Sequence, residues 1–172
     1  MRICSIVAVG VALAALAPIA ASARGQDRAA LRSYLSHARA QMSRYREAVL
    51  PLDQLGDPSY PDEDIPGLFS TAAADVDALV KPWGRIKTPE GLRRAHAGRA
   101  RSLQLFSQAL GILGDGWAQF LITQDPEDLQ AARDLAAPLN TSAHRLQLRW
   151  TKALRAALRR AGLRAPGWLM AQ

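Results

Sequence analysis

Apolar residues recur at helical spacing along most of this chain. In the first such stretch they alternate at steps of four and three residues between Leu31 and Leu52. This spacing predicts a helix from about Gln26 to Leu50. We expect Pro51 to end it, because a proline ring cannot continue a helix without loss of a backbone hydrogen bond.

A polar stretch with several prolines follows at residues 51–66, and it predicts an irregular connection. Apolar positions return at helical spacing from Phe69 to Val80, and Pro82 comes directly after them. The pattern therefore predicts a short second helix that ends before Pro82.

Two long helices are predicted in the second half of the chain. One starts at Thr88-Pro89-Glu90, where a hydroxyl cap precedes a proline and an acid, and the other starts at Asp125-Pro126-Glu127. Only a few residues separate them, so we expect an antiparallel hairpin over residues 88–162. Pro138 lies inside the fourth helix and is expected either to kink it or to split it. Gly162 followed by Leu163 is typical of a glycine C-terminal cap.

No segment alternates apolar and polar residues as a strand would. The predicted fold class is therefore all-α: an up-down-up-down four-helix bundle with a short second helix and a long C-terminal hairpin. Residues 24–172 are expected to form one domain, since their length suits a single core.

The segment from Thr88 to Leu158 also resembles a group of uncharacterised exported bacterial proteins built on a helical hairpin. The likeness lies in the Thr-Pro-Glu start, His96 two turns later, the repeated Leu and Ala, and the Gln124-Asp125-Pro126 turn. The resemblance implies export and a helical bundle, and it implies no activity and no site residues.

The first 23 residues have the pattern of a secretory signal. Met1-Arg2 precedes an uncharged run that ends in the small residues Ala21-Ser22-Ala23. We expect cleavage after Ala23, which leaves a domain without a transmembrane helix. The alternative is a retained anchor, because the uncharged run is long enough to span a bilayer. Export leaves the periplasm, the cell envelope and the extracellular medium open as compartments.

Cys4 is the single cysteine of the chain and lies within the predicted signal. Its removal excludes disulfides, thiolate catalysis and cysteine metal sites in the remaining domain. Motifs of a nucleophile elbow, a phosphate-binding glycine loop and a zinc protease are absent from the sequence. We therefore expect a protein that is not an enzyme and that has no cofactor.

The chain of 172 residues has a net charge of +7, and its charges fall in blocks. Residues 51–80 hold seven acids and no base, whereas residues 135–172 hold seven bases and no acid. Folding the hairpin gathers acids at one end of the bundle, the acidic end, which consists of Asp53, Asp57, Asp62, Glu63, Asp64, Asp125, Glu127 and Asp128. It places the basic blocks together at the other end, where Arg24, Arg28 and Arg32 of the first helix would join them. We call this predicted surface the basic pole, and it consists of Arg93, Arg94, Arg99, Arg101, Arg149, Lys152, Arg155 and Arg159.

Two interpretations of the basic pole are open. In the first, the charges serve the fold alone. Acids at the start of the fourth helix and bases at its end suit the helix dipole, and Asp75 and Asp77 are in reach to pair with arginines. In the third helix, by contrast, the first part contains Arg93, Arg94, Arg99 and Arg101, where the helix dipole disfavours cations. This placement favours a binding role. His96 and Arg99 interrupt an otherwise apolar seam and could mark a polar pocket, but we expect them to lie near a bundle end, where Arg99 extends its charged head to water.

We expect the basic pole to dock on an anionic envelope lipid or an acidic envelope polymer. Self-association, in which the basic pole of one molecule meets the acidic end of another, is an alternative. Nucleic acid is not an expected partner of an exported protein. A further alternative is a bundle that binds a small ligand, a metal or non-covalent haem, but His37, His96 and His144 are not expected to converge.

Overall fold

The computed structural model describes residues 17–57 and 59–170, and it describes side chains between residues 27 and 169 apart from residues 56 and 58. These residues form no β-strand. The α-helices are α1 (Ala17–Val49), α2 (Ile65–Ala78), α3 (Val80–Gly84), α4 (Arg93–Thr123), α5 (Pro126–Arg160) and α6 (Gly167–Met170). Short 3-10 helices span Leu50–Gly56, Asp62–Asp64 and Glu90–Leu92. The prediction of an all-α fold is confirmed.

Contacts between helices give the up-down-up-down order. In the first half of α1, Arg28 donates a hydrogen bond to the Ala161 carbonyl just beyond α5, whereas Tyr34, further along α1, accepts from Trp150, so these two helices run antiparallel. Ser107 of α4 donates to the Ala73 carbonyl of α2, and Gly114 lies beside Phe69. Helix α2 therefore runs antiparallel to α4, and α4 and α5 form the expected hairpin.

Helix α1 begins earlier than the apolar spacing predicts. Its backbone is helical from Ala17, and it therefore includes the last residues of the predicted signal, while residues 1–16 lie outside the described part of the chain. It ends at Val49, directly before the 3-10 helix that contains Pro51. Within the described residues, no helix is both long enough and apolar enough to cross a membrane.

The second helix is interrupted earlier than expected. Helix α2 ends at Ala78, and α3 continues past Pro82 to Gly84, so the prediction that Pro82 itself ends the helix is wrong. The reason lies four residues upstream. A proline has no N–H to donate to the carbonyl of residue i−4, and its ring crowds that carbonyl, which here belongs to Ala78.

The ends of the hairpin helices follow the sequence in part. Thr88 does not act as a cap: its hydroxyl donates to the Ile86 carbonyl, and a 3-10 turn leads into α4. Asp125 does cap α5, because its carboxylate accepts from the Glu127 amide at 2.9 Å. Gly162 adopts φ 65°, and the Leu163 amide reaches the Leu158 carbonyl, which confirms the glycine C-cap.

Pro138 neither splits α5 nor ends it. The helix runs unbroken through this residue for 35 residues, or roughly 50 Å at 1.5 Å per residue. Pro138 is exposed, so the carbonyl that loses its partner can turn to water. Of the two outcomes expected for Pro138, a split of the helix therefore does not occur, and α5 is one continuous helix.

Candidate functional site

The core near the start of α4 is a cluster of aromatic rings from four helices. Trp83 of α3 stacks on His96 with ring centroids 5.5 Å apart, and it meets Trp150 edge to face at 5.4 Å. Tyr34 of α1 meets His96 at 5.7 Å. Tyr34, Trp83 and Trp150 are each at most 1% exposed, so this cluster is the tightly packed centre of the bundle.

A chain of hydrogen bonds runs through the cluster. The Trp150 indole donates to the Tyr34 hydroxyl at 2.8 Å, and that hydroxyl lies 3.1 Å from His96 Nδ1. Because indole N–H is only a donor, the Tyr34 proton is free to point to Nδ1. His96 then carries its own proton on Nε2, which is buried without a hydrogen-bond partner among the described residues.

Burial shifts the acid–base equilibria of this cluster. It raises the pKa of Tyr34 to about 12 and lowers the pKa of His96 below its usual range. Both shifts favour the neutral side chains in the folded protein. The cluster therefore contributes polar groups but no charge of its own at neutral pH.

Arg99 lies beside this cluster and is 1% exposed. The expectation that its head extends to water is wrong. The guanidinium carbon lies 4.8 Å from the centre of the Tyr45 ring and 5.8 Å from that of Trp83. Large aromatic side chains from α1 and α3 cover this position of α4, and an amphipathic pattern within α4 alone does not reveal them.

Six of the eight residues of the basic pole are exposed. They are Arg93, Arg94, Arg101, Arg149, Lys152 and Arg159. Within the described side chains, none of these six has a carboxylate oxygen within the 4.0 Å of an ion pair. Asp75 and Asp77 are exposed on α2 and form no such pair either, so the pairing considered from the sequence does not occur there.

Arg155 turns inward like Arg99, although it is only half-buried. Its Nη2 donates to the Leu169 carbonyl of α6, and its Nε is buried without a hydrogen-bond partner among the residues that the structure describes. Trp168 of α6 stacks near Trp150 at 6.4 Å, and Leu169 is fully buried. Arg155 therefore holds the C-terminal segment on the bundle rather than presenting charge to solvent.

Further arginines join the basic pole at the end of the bundle. A cleft of about 710 Å³ opens there between the start of α1, the Glu90–Leu92 turn and the end of α5. Arg28, Arg159 and Arg160 line it together with the acids Asp27 and Glu90. The blocks of charge indicated Arg28 from the sequence, whereas Arg24 falls among the residues whose side chains are not described.

The described residues offer no convergent metal site. No group of three or more His, Cys, Asp or Glu side chains among them is placed to hold an ion. His37 and His144 are exposed on different helices, and His96 is in the aromatic cluster. Comparisons of the chain with models of protein families, with curated proteins and with solved structures gave no match.

Proposed function

We propose that this protein is exported and that its basic pole docks on an anionic lipid surface of the cell envelope, without catalysing a reaction. The observation that carries this proposal is the position of Arg93 and Arg94. Both are exposed in the first turn of α4, and neither has a carboxylate partner among the described side chains.

Two physical arguments support a ligand of negative charge. The start of a helix carries a partial positive charge, so arginines there are repelled unless an anion is near. Lys152 and Arg159 add exposed charge from the antiparallel α5 at the same end. Each basic residue near an anionic membrane contributes about 1 kcal/mol, and this contribution weakens with salt.

Co-sedimentation with lipid vesicles tests this proposal. We expect the protein to bind vesicles that contain phosphatidylglycerol, to bind those of phosphatidylcholine at least tenfold less, and to dissociate as salt is raised. A variant with Arg93, Arg94, Lys152 and Arg159 replaced by Gln should lose this binding.

A matched control removes the same charge elsewhere. Replacement of Arg39, Arg44, Arg46 and Arg133 by Gln also removes four exposed cations, but these lie outside the basic pole. This variant should still bind. Equal loss in both variants would show that net charge alone attracts the vesicles, and equal binding to neutral vesicles would contradict the proposal.

Two further measurements separate the neighbouring hypotheses. Binding to an isolated acidic envelope polymer, with none to vesicles, would replace lipid by polymer as the partner. Light scattering at low and high salt would detect self-association between the basic pole of one molecule and the acidic end of another. The measured molecular mass would then fall as the salt concentration is raised.

Export itself predicts that protein recovered from the cell envelope or medium begins at Arg24, as mass spectrometry would show.

A further inference from the structure

Arg99 is a buried cation without an anionic partner in the part of the chain that the structure describes. Its Nη1 donates to Ser102 Oγ at 3.0 Å and to Gln147 Oε1 at 3.2 Å, and its Nη2 lies 3.6 Å from Met42 Sδ. Its Nε is buried without a partner among the described residues. All three partners are neutral, whereas buried charges in proteins are normally paired with an opposite charge.

The guanidinium keeps its proton at neutral pH. Burial lowers the pKa of Arg99 to about 10, which is still well above 7. The phenol of Tyr45 has a pKa that burial raises, so it remains neutral and contacts the cation through its ring without supplying a negative charge. Such a contact is worth about 2 kcal/mol when desolvated and does not replace a counterion.

An open pocket of about 170 Å³ adjoins this cation. Its lining includes Tyr45, Ser102 and Gln147, three of the residues that contact the Arg99 guanidinium, which lies behind them. Asn140 and His144 add polar groups from α5, and Phe106 adds an apolar wall. None of the lining residues is acidic, and the Arg99 guanidinium places a positive charge directly behind the inner wall of the pocket.

We propose that this pocket binds a small organic carboxylate whose charge is recognised by Arg99. The carboxylate would displace the half-buried Gln147 amide and accept from Arg99 Nη1, because hydrogen bonds to an ionised acceptor are roughly twice as strong as neutral ones. Asn140 also lines the pocket and adds an amide donor to its wall. The volume of the pocket corresponds to about six water molecules at roughly 30 Å³ each, which limits the ligand to a carboxylate with a short carbon chain. Phe106 can pack against that carbon chain.

A nuclear magnetic resonance titration of the ¹⁵N-labelled protein tests this site. Propionate is the probe, and propionamide is the neutral control of the same shape. We expect propionate to shift the amide signals of residues 99–106 and 140–147, and to bind at least tenfold more tightly than propionamide. Shifts confined to the exposed arginines would assign the binding to surface charge and overturn the proposal.

Two variants test the role of Arg99 itself. Arg99→Met should abolish the effect of propionate, whereas Arg101→Met, which removes an exposed cation two residues away, should leave it unchanged. Gln147→Glu places a carboxylate next to Arg99 within the chain, and it should block propionate by occupying the cation. Binding that survives either Arg99→Met or Gln147→Glu would overturn the proposal, and Gln147→Glu decides it alone if the other variant fails to fold.

Discussion

The two halves of the α4–α5 hairpin pack by different means. In the half next to the basic pole, bulky residues such as Trp150 and Arg99 fill the space between the helices and their neighbours, and we call this the aromatic half. In the other half, which ends at the hairpin turn, Gly114, Gly116 and Ala132 are buried, and we call this the small-residue half.

The contrast explains where polar chemistry is found in this molecule. In the small-residue half Gly116 meets Ala132 so closely that no side chain fits between the helices. In the aromatic half, side chains from α1 and α3 surround buried polar groups of α4, and a pocket lined from α1, α4 and α5 lies beside them. Close backbone contact excludes ligands, whereas packing through large side chains creates polar sites.

The largest expected effect comes from the aromatic half. Trp150→Ala removes a side chain that is fully buried and leaves the Tyr34 hydroxyl without its indole donor. We expect the free energy of unfolding to fall by about 3–5 kcal/mol, as for other large buried side chains. Urea denaturation followed by circular dichroism would measure it. As a control, Leu135→Ala truncates a side chain that is 64% exposed and should change stability little.

The small-residue half should respond to an added methyl group. Gly116→Ala places a Cβ against Ala132, where only a shift of the backbone can relieve the overlap, so we expect a loss of about 1–3 kcal/mol. Gly111→Ala is the matched control, since it lies in the same helix with nothing within 4 Å. It should instead stabilise the protein by about 0.5–1 kcal/mol. Loss of stability in both variants would show that the close contact is not the cause.

Removal of the buried charge of Arg99 should raise the free energy of unfolding, whereas removal of the Trp150 ring should lower it. Desolvation of a cation costs several kcal/mol, and Arg99 has no counterion among the described residues. Without added carboxylate we expect Arg99→Met to raise the free energy of unfolding by about 1 kcal/mol or more, because apolar replacements of buried charges are often stabilising. Urea unfolding beside Arg101→Met, which should be neutral, would measure the difference. A clear loss of stability would show that the contacts of Arg99 outweigh its desolvation.

The smallest expected effect is a loss of stability at acidic pH. Burial lowers the pKa of His96, so the unfolded chain binds a proton near pH 6.5 that the folded protein does not. Stability contributed by neutral His96 is therefore present above pH 6.5 and is lost as the pH falls through the lowered value. Urea unfolding at pH 7 and pH 5.5 should show this loss in the natural chain. The decline should be smaller in His96→Gln than in His144→Gln, which replaces an exposed histidine.

Much of the fold follows from local signals in the sequence. The spacing of apolar residues predicted α4 and α5, and Asp125 and Gly162 mark the limits of α5 as expected. Helix α6 gave no such signal, because four residues are too few to show a helical period. Its position depends on Trp168 and Leu169, which pack on the bundle from a distance in sequence.

The two candidate sites also differ in how much of each the sequence predicts. Exposed charges such as Arg93 and Lys152 could be placed at one end of the bundle by counting residues from the turn, since a rigid hairpin converts sequence separation into height. A polar pocket near Arg99 was only an alternative from the sequence, and its lining could not be predicted, because residues of α1, α4 and α5 form it together. No single helix contains the pattern of that pocket.

By itself, the sequence determined the helical class, the hairpin and the separation of charge, because helix spacing, caps and turns act over a few residues. Only the tertiary structure decided that Arg99 is buried while Arg101 is exposed. The physical reason is that the solvation of a charged side chain depends on what other helices place around it. Tyr45 and Trp83 cover Arg99 from distant parts of the chain, and so a residue expected at the surface lies in the core.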